Sequence, residues 1–170
     1  EDGPYAGQWA LIAMRVPELW WYLRQAESQG DITPAEVTVA VVDTGYTRHP
    51  EIEASLDLAN DYDFIKEGDS NSDGTPDYYW AQDGDGIDDD ALDEGDARFA
   101  SEPNSWHGTT VAGVLAAASD NNEGISGVGT AFNEAGGVVS ILPVRALGVG
   151  GGSTYDIVQS VAYAAGLEND

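Results

Sequence analysis

The chain contains no cysteine and very few basic residues, and both shortages restrict its possible functions. Without cysteine it can form no disulfide, no zinc–thiolate site and no thiolate nucleophile. Only 6 basic residues stand against 31 acidic ones, which gives a formal net charge of −25. Nucleic acid and anionic lipid repel a chain of this charge, so neither is expected as a partner.

Long apolar runs are also missing. No stretch approaches the roughly 18 consecutive apolar residues that a membrane-spanning helix needs. No positively charged start followed by an apolar segment marks a signal peptide, although a mature secreted protein would have lost one. At 170 residues the chain is long enough for one domain with a core. We therefore expect a secreted protein whose acidic surface suits a saline or calcium-rich medium.

Acidic residues are concentrated in one segment, residues 61–98, which we call the acidic insert. Fourteen carboxylates and the single lysine, Lys66, lie between Asp61 and Asp96. Aspartates at alternate positions followed by glycine resemble part of a calcium loop, because Ca²⁺ takes six to eight oxygen ligands. The predicted calcium ligands are Asp69, Asn71, Asp73, Asp77, Asp83, Asp85, Asp88, Asp90, Asp93 and Asp96.

The alternative interpretation of this insert is a solvated acidic loop in a salt-adapted protein. Neither half of the insert has the complete EF-hand pattern with a glutamate at the twelfth position. Aromatic and aliphatic residues interrupt the acidic run, however, at Tyr78, Tyr79, Trp80, Ile87 and Leu92. A disordered acidic tail does not usually contain them, so the pattern favours calcium binding.

Outside the insert, strands alternate with helices. Residues 36–43 and 138–147 are nearly continuous apolar runs, typical of strands covered on both faces. Helices are predicted from Pro17 toward Gly30, from His107, and after a cap at Ser153 or Thr154. The alternation predicts an α/β fold with a doubly wound, mostly parallel sheet flanked by helices.

One of the two histidines lies where a base is useful. His107 opens the helical segment "HGTTVAG", and helix amide groups at that end disfavour the charged imidazolium. Asp43 closes the first apolar strand, and functional groups gather at the carboxyl ends of strands in such sheets. Asp43 is therefore the obvious carboxylate to hold the His107 ring in one tautomer.

Two motifs and their order resemble those of a known family. "VAVVDTGYTRHPEI" at 39–52 and "HGTTVAGVLAA" at 107–117 look like the aspartate and histidine motifs of the subtilisin-like serine proteases, the subtilases. Residues 8–20, 121–129 and 141–166 resemble further stretches of the same domain. The likeness is greatest to the secreted, calcium-binding subtilases of proteobacteria. It implies that residues 1–170 are the N-terminal half of a subtilisin-like catalytic domain that carries the acidic insert.

The resemblance implies a role for each matching residue. Asp43 would orient His107, and His107 would act as the general base toward a serine in an extracellular endopeptidase. The family's substrate-binding edge maps onto Gly151, Gly152 and Ser153, which would pair with the backbone of a protein or peptide substrate. His49, in the His-Pro that follows the aspartate motif, is expected to be structural.

The departures from the family pattern matter equally. Thr110 stands where the family usually has a second histidine, and "SDNNEGISG" at 119–127 lacks an obvious full set of calcium ligands. The Gly-Thr-Ser-Met-Ala segment with the nucleophile is not present in these 170 residues, nor is the oxyanion asparagine. We expect the nucleophilic serine and the oxyanion asparagine to come from the C-terminal remainder of the protease, either as a second chain or as a missing part. Without them, this chain is expected to be inactive.

Two alternatives stay open. The chain could be a calcium-binding module that kept the fold and lost catalysis, or an inactive decoy that captures peptides along its glycine edge. Neither function needs Asp43 together with His107, so their presence favours the peptidase.

Overall fold

A computed structural model describes residues 7–68, 78–131 and 138–167 of the chain. Four α-helices and three strands follow one another along these residues. They are α1 (Trp9–Ala13), α2 (Val16–Ser28), β1 (Val37–Asp43), β2 (Tyr62–Asp63), α3 (His107–Ala116), β3 (Val139–Arg145) and α4 (Thr154–Ala164), with one 3₁₀ turn at Glu53–Ser55. None of the described helices is long and apolar enough to cross a bilayer.

The three strands form one sheet in the order β1–β3–β2. Strands β2 and β3 are parallel, with Tyr62 opposite Val144. Hydrogen bonds from Val37 N–H to Val138 O and from Ala146 N–H to Asp43 O join corresponding ends of β1 and β3, so these strands also run in one direction. Both long strands are apolar runs of the predicted kind, and the expected α/β class is confirmed.

Local sequence signals account for the helix ends. Pro17 lies in the first turn of α2, and Gly30 follows its end with a left-handed φ of 79°. Helix α4 begins after Ser153, whose hydroxyl accepts the Asp156 N–H at 3.1 Å. The predicted helix at His107 is present, and it continues through Gly113 to Ala116.

The described residues fall into two compact units. The first comprises residues 7–39, 49–55, 112–131 and 138–140. Its small core contains Leu11, Val16, Trp20 and Ala131, and the Trp20 indole N–H donates to Val128 O at 2.9 Å. Burying a side chain of this size stabilises a fold by roughly 2–3 kcal/mol, which keeps α1 and α2 attached to this unit.

The second unit comprises residues 40–48, 56–68, 78–111 and 141–167, and it contains both Asp43 and His107. Ile65, Val144 and Val149 are fully buried in it. Arg145, at the end of β3, is fully buried as well and pairs with Asp63 at 2.7 Å and with Asp83. This unit carries the candidate site.

Candidate active site

Asp43 and His107 are brought together as the sequence predicts. Asp43 is the last residue of β1 and His107 is the first residue of α3. The His107 Nδ1 atom lies 2.8 Å from both carboxylate oxygens of Asp43. The Asp43 side chain is 12% exposed and the His107 side chain 63% exposed, so the pair has a buried acid and an accessible ring.

The contact determines which imidazole nitrogen is reactive. A carboxylate only accepts hydrogen bonds, so the proton of the neutral ring belongs on Nδ1 and points at Asp43. The lone pair is then left on Nε2. Because the ring is mostly exposed, Nε2 can meet a hydroxyl brought by another part of a protein.

Two glycines allow the strand end and the helix start to come this close. A Cβ atom on Gly108 would lie 2.1 Å from the Gly45 carbonyl oxygen, well inside van der Waals contact. Gly45 has a φ of 90°, a left-handed conformation that favours glycine. Any larger residue at position 108 would move the start of α3, and with it His107, away from the turn after Asp43.

Hydroxyl groups tie the same two elements together. The Thr44 N–H donates to Asp43 Oδ1 at 2.7 Å, and the Thr44 hydroxyl accepts the Gly108 N–H at 3.0 Å. The Thr47 N–H donates to the Thr109 hydroxyl at 2.7 Å. These hydrogen bonds were not predicted from the sequence, although the threonine that follows Asp43 was a signal that could have been used.

Thr110 takes no part in the Asp43–His107 pair. Its hydroxyl and its N–H both bond to the carbonyl of Trp106, each at 3.0 Å, within the first helical turn. Trp106 has a φ of 48°, so a bulky residue adopts the left-handed conformation immediately before His107. The Trp106 carbonyl is therefore the first hydrogen-bond acceptor of α3.

The predicted substrate-binding edge is partly engaged with its own chain. Gly148 and Gly151 exchange two backbone hydrogen bonds, at 2.8 and 3.0 Å, across a tight turn. Ser153 caps α4. Among the described backbone hydrogen bonds, none uses the N–H or carbonyl of Gly152. Pairing with a substrate backbone therefore remains a prediction.

The predicted calcium ligands divide into three groups. Asp69, Asn71, Asp73 and Asp77 lie outside the described residues. The second group lines a cavity of about 90 Å³ together with Leu92 and Glu94. Its members are Asp83, Asp85, Asp88 and Asp90. Within the described residues, however, no three histidine, aspartate or glutamate side chains form a group that could hold a metal ion.

Asp83 has a competing partner in this cavity. Its carboxylate pairs with the buried guanidinium of Arg145, which also donates to Asp63 at 2.7 Å. Burial raises the pKa of Asp63 to about 8 despite the nearby guanidinium. The pairing was not foreseen, although an arginine ending an apolar strand in a chain with six basic residues was a usable signal.

The third group, Asp93 and Asp96, is not among the residues lining that cavity. Asp93 is 3% exposed, and burial raises the pKa of its carboxyl while the Thr44 hydroxyl lowers it. Asp96 accepts the Ser105 N–H at 2.6 Å and also the Ser105 hydroxyl. The Ser105 oxygen in turn accepts the His107 N–H at 3.3 Å. Asp96 thus contacts Ser105, which is itself hydrogen-bonded to the backbone of His107.

A second oxygen-rich place lies in the first compact unit. Glu51 is 8% exposed; its Oε1 accepts the Asn121 amide at 2.7 Å, while Oε2 is buried and has no hydrogen-bond partner among the described residues. Gln8 bonds to Ser126 beside a cavity of about 400 Å³ lined by residues 120–126. Carboxylate and amide oxygens are the kinds of ligand that a hard cation such as Ca²⁺ takes.

In the described ranges, the His107 ring makes no hydrogen bond to a serine hydroxyl that could act as the nucleophile. The Ser105 hydroxyl, the nearest in sequence, donates to Asp96. The Ser126 N–H and carbonyl are both bonded to the Gln8 side chain.

Comparison with known proteins agrees with the geometry. The chain is 41% identical over 142 residues to an extracellular protease of Xanthomonas campestris pv. campestris, covering 79% of this chain and 21% of that protein. It is 32% identical over 144 residues to the halolysin of Haloferax mediterranei, covering 82% of this chain and 21% of that protein. The chain therefore spans about a fifth of the length of these curated relatives.

A solved structure and a family model extend the comparison. A protease from Pseudoalteromonas arctica PAMC 21717 superposes with a TM-score of 0.61 at 38% identity, covering 80% of this chain and 37% of that chain. The model of the subtilase family of S8 peptidases matches residues 35–170, which include both Asp43 and His107. The chain belongs to the subtilase family.

Proposed function

We propose that this chain is part of a secreted serine endopeptidase, to which it contributes the general base His107 and the orienting carboxylate Asp43. The observation that carries the proposal is the 2.8 Å separation between His107 Nδ1 and the Asp43 carboxylate, with the rest of the ring exposed. Secretion is supported by relatives that are named extracellular proteases. Protein and peptide substrates follow from the same names.

In the proposed reaction a serine hydroxyl donates its proton to His107 Nε2 while its oxygen attacks the substrate carbonyl. The imidazolium formed is stabilised by Asp43, which stays ionised and keeps the Nδ1 proton. His107 then gives the proton on Nε2 to the leaving amine as the peptide bond breaks. Water repeats the sequence on the acyl intermediate and releases the acid.

The serine and the oxyanion asparagine are assigned to the remainder of the protease. Within the described residues, no serine hydroxyl is hydrogen-bonded to the His107 ring, which supports this assignment. The chain also spans only 37% of the solved protease chain that it resembles. Base and carboxylate without a nucleophile leave the acylation step without an attacking atom, so we expect no hydrolysis by residues 1–170 alone.

Calcium is proposed as a stabilising ion rather than a reactant. The acidic insert and the Glu51 loop, by which we mean Glu51 with residues 120–126, each supply hard oxygen donors. Glu51 has a buried oxygen without a hydrogen-bond partner within the described residues. Bound calcium would offset the repulsion among these carboxylates. No step of the proposed hydrolysis passes through the metal.

Hydrolysis of a chromogenic peptide by the complete protease tests the proposal. His107→Ala should lower kcat on the order of 10⁴-fold or more, since the serine loses its base. His49→Ala is the matched control: this exposed histidine accepts the Glu51 N–H at 3.2 Å and should leave kcat unchanged. Full activity in the His107 variant would show that the pair is not the catalytic base and orienter, and would leave a binding module as the better interpretation.

A further inference from the structure

The residue before α3 cannot cap the helix with its side chain. It is Trp106, whose indole carries a donor but no acceptor oxygen, and whose φ of 48° is left-handed. The first N–H groups of a helix have no carbonyl partner within it and need acceptors from elsewhere. Because His107 is the first residue of α3, a loose helix start would move the imidazole relative to Asp43.

Two hydroxyl groups replace the missing cap. The Thr44 hydroxyl accepts the Gly108 N–H at 3.0 Å, and the Ser105 hydroxyl accepts the N–H of His107 itself at 3.3 Å. Ser105 is exposed to solvent. A serine hydroxyl in such a position can rotate toward water unless a second contact fixes it. The acceptor of the His107 N–H therefore depends on what orients the Ser105 side chain.

The Asp96 carboxylate supplies the second contact. Its Oδ1 accepts the Ser105 N–H at 2.6 Å, and its Oδ2 accepts the Ser105 hydroxyl hydrogen. One carboxylate thus holds both the backbone and the side chain of Ser105. A hydroxyl has one hydrogen and two lone pairs, so with the hydrogen directed at Asp96 the lone pairs remain for the His107 N–H. Hydrogen bonds to an ionised carboxylate are also stronger than those between neutral groups.

Asp96 is itself held in place by its neighbours. The Asn104 side-chain oxygen accepts the Asp96 N–H at 3.1 Å and the Ala97 N–H at 2.9 Å. A Cβ atom on Gly95 would lie 2.6 Å from the Asn104 amide nitrogen, so the amide packs directly against the backbone of the insert. The end of the acidic insert and the segment before His107 are therefore bonded to each other.

The same part of the insert is bonded to the turn after β1. The Tyr46 N–H donates to Ala91 O at 3.0 Å, and the Asp93 N–H donates to Tyr46 O at 2.7 Å. The insert thus contacts both the segment that follows Asp43 and the segment that precedes His107. A carboxylate placed between these two anchors can transmit a fixed position to the helix start.

We propose that Asp96 is a positioning residue: by holding the Ser105 hydroxyl toward the His107 N–H, it fixes the start of α3 and so the geometry of the Asp43–His107 pair. The inference rests on the proposed function and deepens it, because it adds a residue of the acidic insert to the peptidase site. This role does not require a metal ion at Asp96.

The experiment uses the complete active protease and measures kcat and KM for a peptide substrate. Asp96→Ala should lower kcat about tenfold with KM roughly unchanged, because the base is displaced and the substrate contacts are not. Ser105→Ala should show the same defect, and Ser105→Thr, which keeps the hydroxyl, should retain most of the activity. Asp89→Ala is the matched control: it removes an exposed carboxylate of the same insert and should leave both constants unchanged.

The double variant of Asp96→Ala with Ser105→Ala tests whether the carboxylate acts through the hydroxyl. If it does, the double variant should be little slower than Ser105→Ala alone, whereas independent effects would multiply and contradict the inference. Ser105 is not among the predicted calcium ligands. A defect shared by both single variants would therefore not come from the loss of a metal ion at Asp96.

The inference would be overturned by a kcat within about twofold of wild type in Asp96→Ala or Ser105→Ala. A Ser105→Thr variant as slow as Ser105→Ala would also overturn it. A lowered melting temperature with unchanged kcat well below melting would make the contact structural only. If Asp96→Ala does not fold, the two Ser105 variants decide the question. Failure of the proposed function is separate, because His107→Ala would then stay active whatever Asp96 does.

Discussion

The two glycines of α3 provide a matched pair of substitutions. Gly108 and Gly113 belong to the same helix, but a Cβ atom would meet very different surroundings at the two positions. At Gly108 it would lie 2.1 Å from the Gly45 carbonyl oxygen, and at Gly113 its nearest neighbour is Ile125 Cδ1 at 3.8 Å. The first distance requires backbone to move, whereas the second is ordinary contact.

Gly108→Ala should therefore damage both stability and turnover. Relief of the clash needs a shift of about 1 Å at the helix start, which also strains the 3.0 Å bond from the Gly108 N–H to Thr44. Overpacking of this kind costs about 1–3 kcal/mol, and misplacement of His107 lowers kcat about a hundredfold. Gly113→Ala should instead stabilise the helix by about 0.5–1 kcal/mol and leave kcat unchanged.

Both variants are measured in the complete protease, by peptide hydrolysis and by thermal melting after the serine has been blocked to prevent autolysis. The expected result is opposite signs in melting temperature and a kcat loss confined to Gly108→Ala. If the two variants melted and turned over alike, the close approach of Gly45 to α3 would be wrong.

Three further predictions concern stability. Arg145→Met should cost about 3–5 kcal/mol in thermal melting, because Asp63 and Asp83 lose the cation buried between them; a cost below about 1 kcal/mol would contradict this. Burial, with Asp90 and Asp61 nearby, raises the pKa of Tyr46 to about 12 from an ordinary 10.0. Between those pH values the folded protein keeps a proton that the unfolded chain releases, so the free energy of unfolding of the wild type should fall as pH rises. In Tyr46→Phe it should fall less, and equal slopes of unfolding free energy against pH in the two proteins would refute this. Calcium chelation should lower the melting temperature, and by less in Glu51→Gln if the Glu51 loop binds the ion; no change on chelation in wild type would argue against bound calcium.

The elements that carry the site could be predicted because their signals are local. An apolar run ending in Asp43 and a helix beginning at His107 follow from periodicity and from the small residues that come after the histidine. The α/β class follows from the alternation of such segments, and it is confirmed. Pairing of Asp43 with His107 needed only the rule that functional groups meet at strand ends.

The sequence could not show which aspartates of the acidic insert pair with other side chains and which line the cavity, because they share one spacing and differ only in their tertiary surroundings. Asp83 pairs with Arg145, and Asp93 is buried and accepts the Gly95 N–H, although both fit the same alternating pattern as Asp85. The turn in which Gly151 and Gly148 are hydrogen-bonded could not be predicted either, because a run of glycines is compatible with a free edge and with a closed turn.

The central claim is that Asp43 and His107 activate a serine that lies outside these 170 residues, and labelling by a fluorophosphonate tests it most directly. The account predicts that the complete protease is labelled rapidly, that the labelled serine maps outside residues 1–170, and that His107→Ala slows labelling by orders of magnitude while His49→Ala does not. Labelling of a serine within residues 1–170, or an undiminished rate in the His107 variant, would contradict the account.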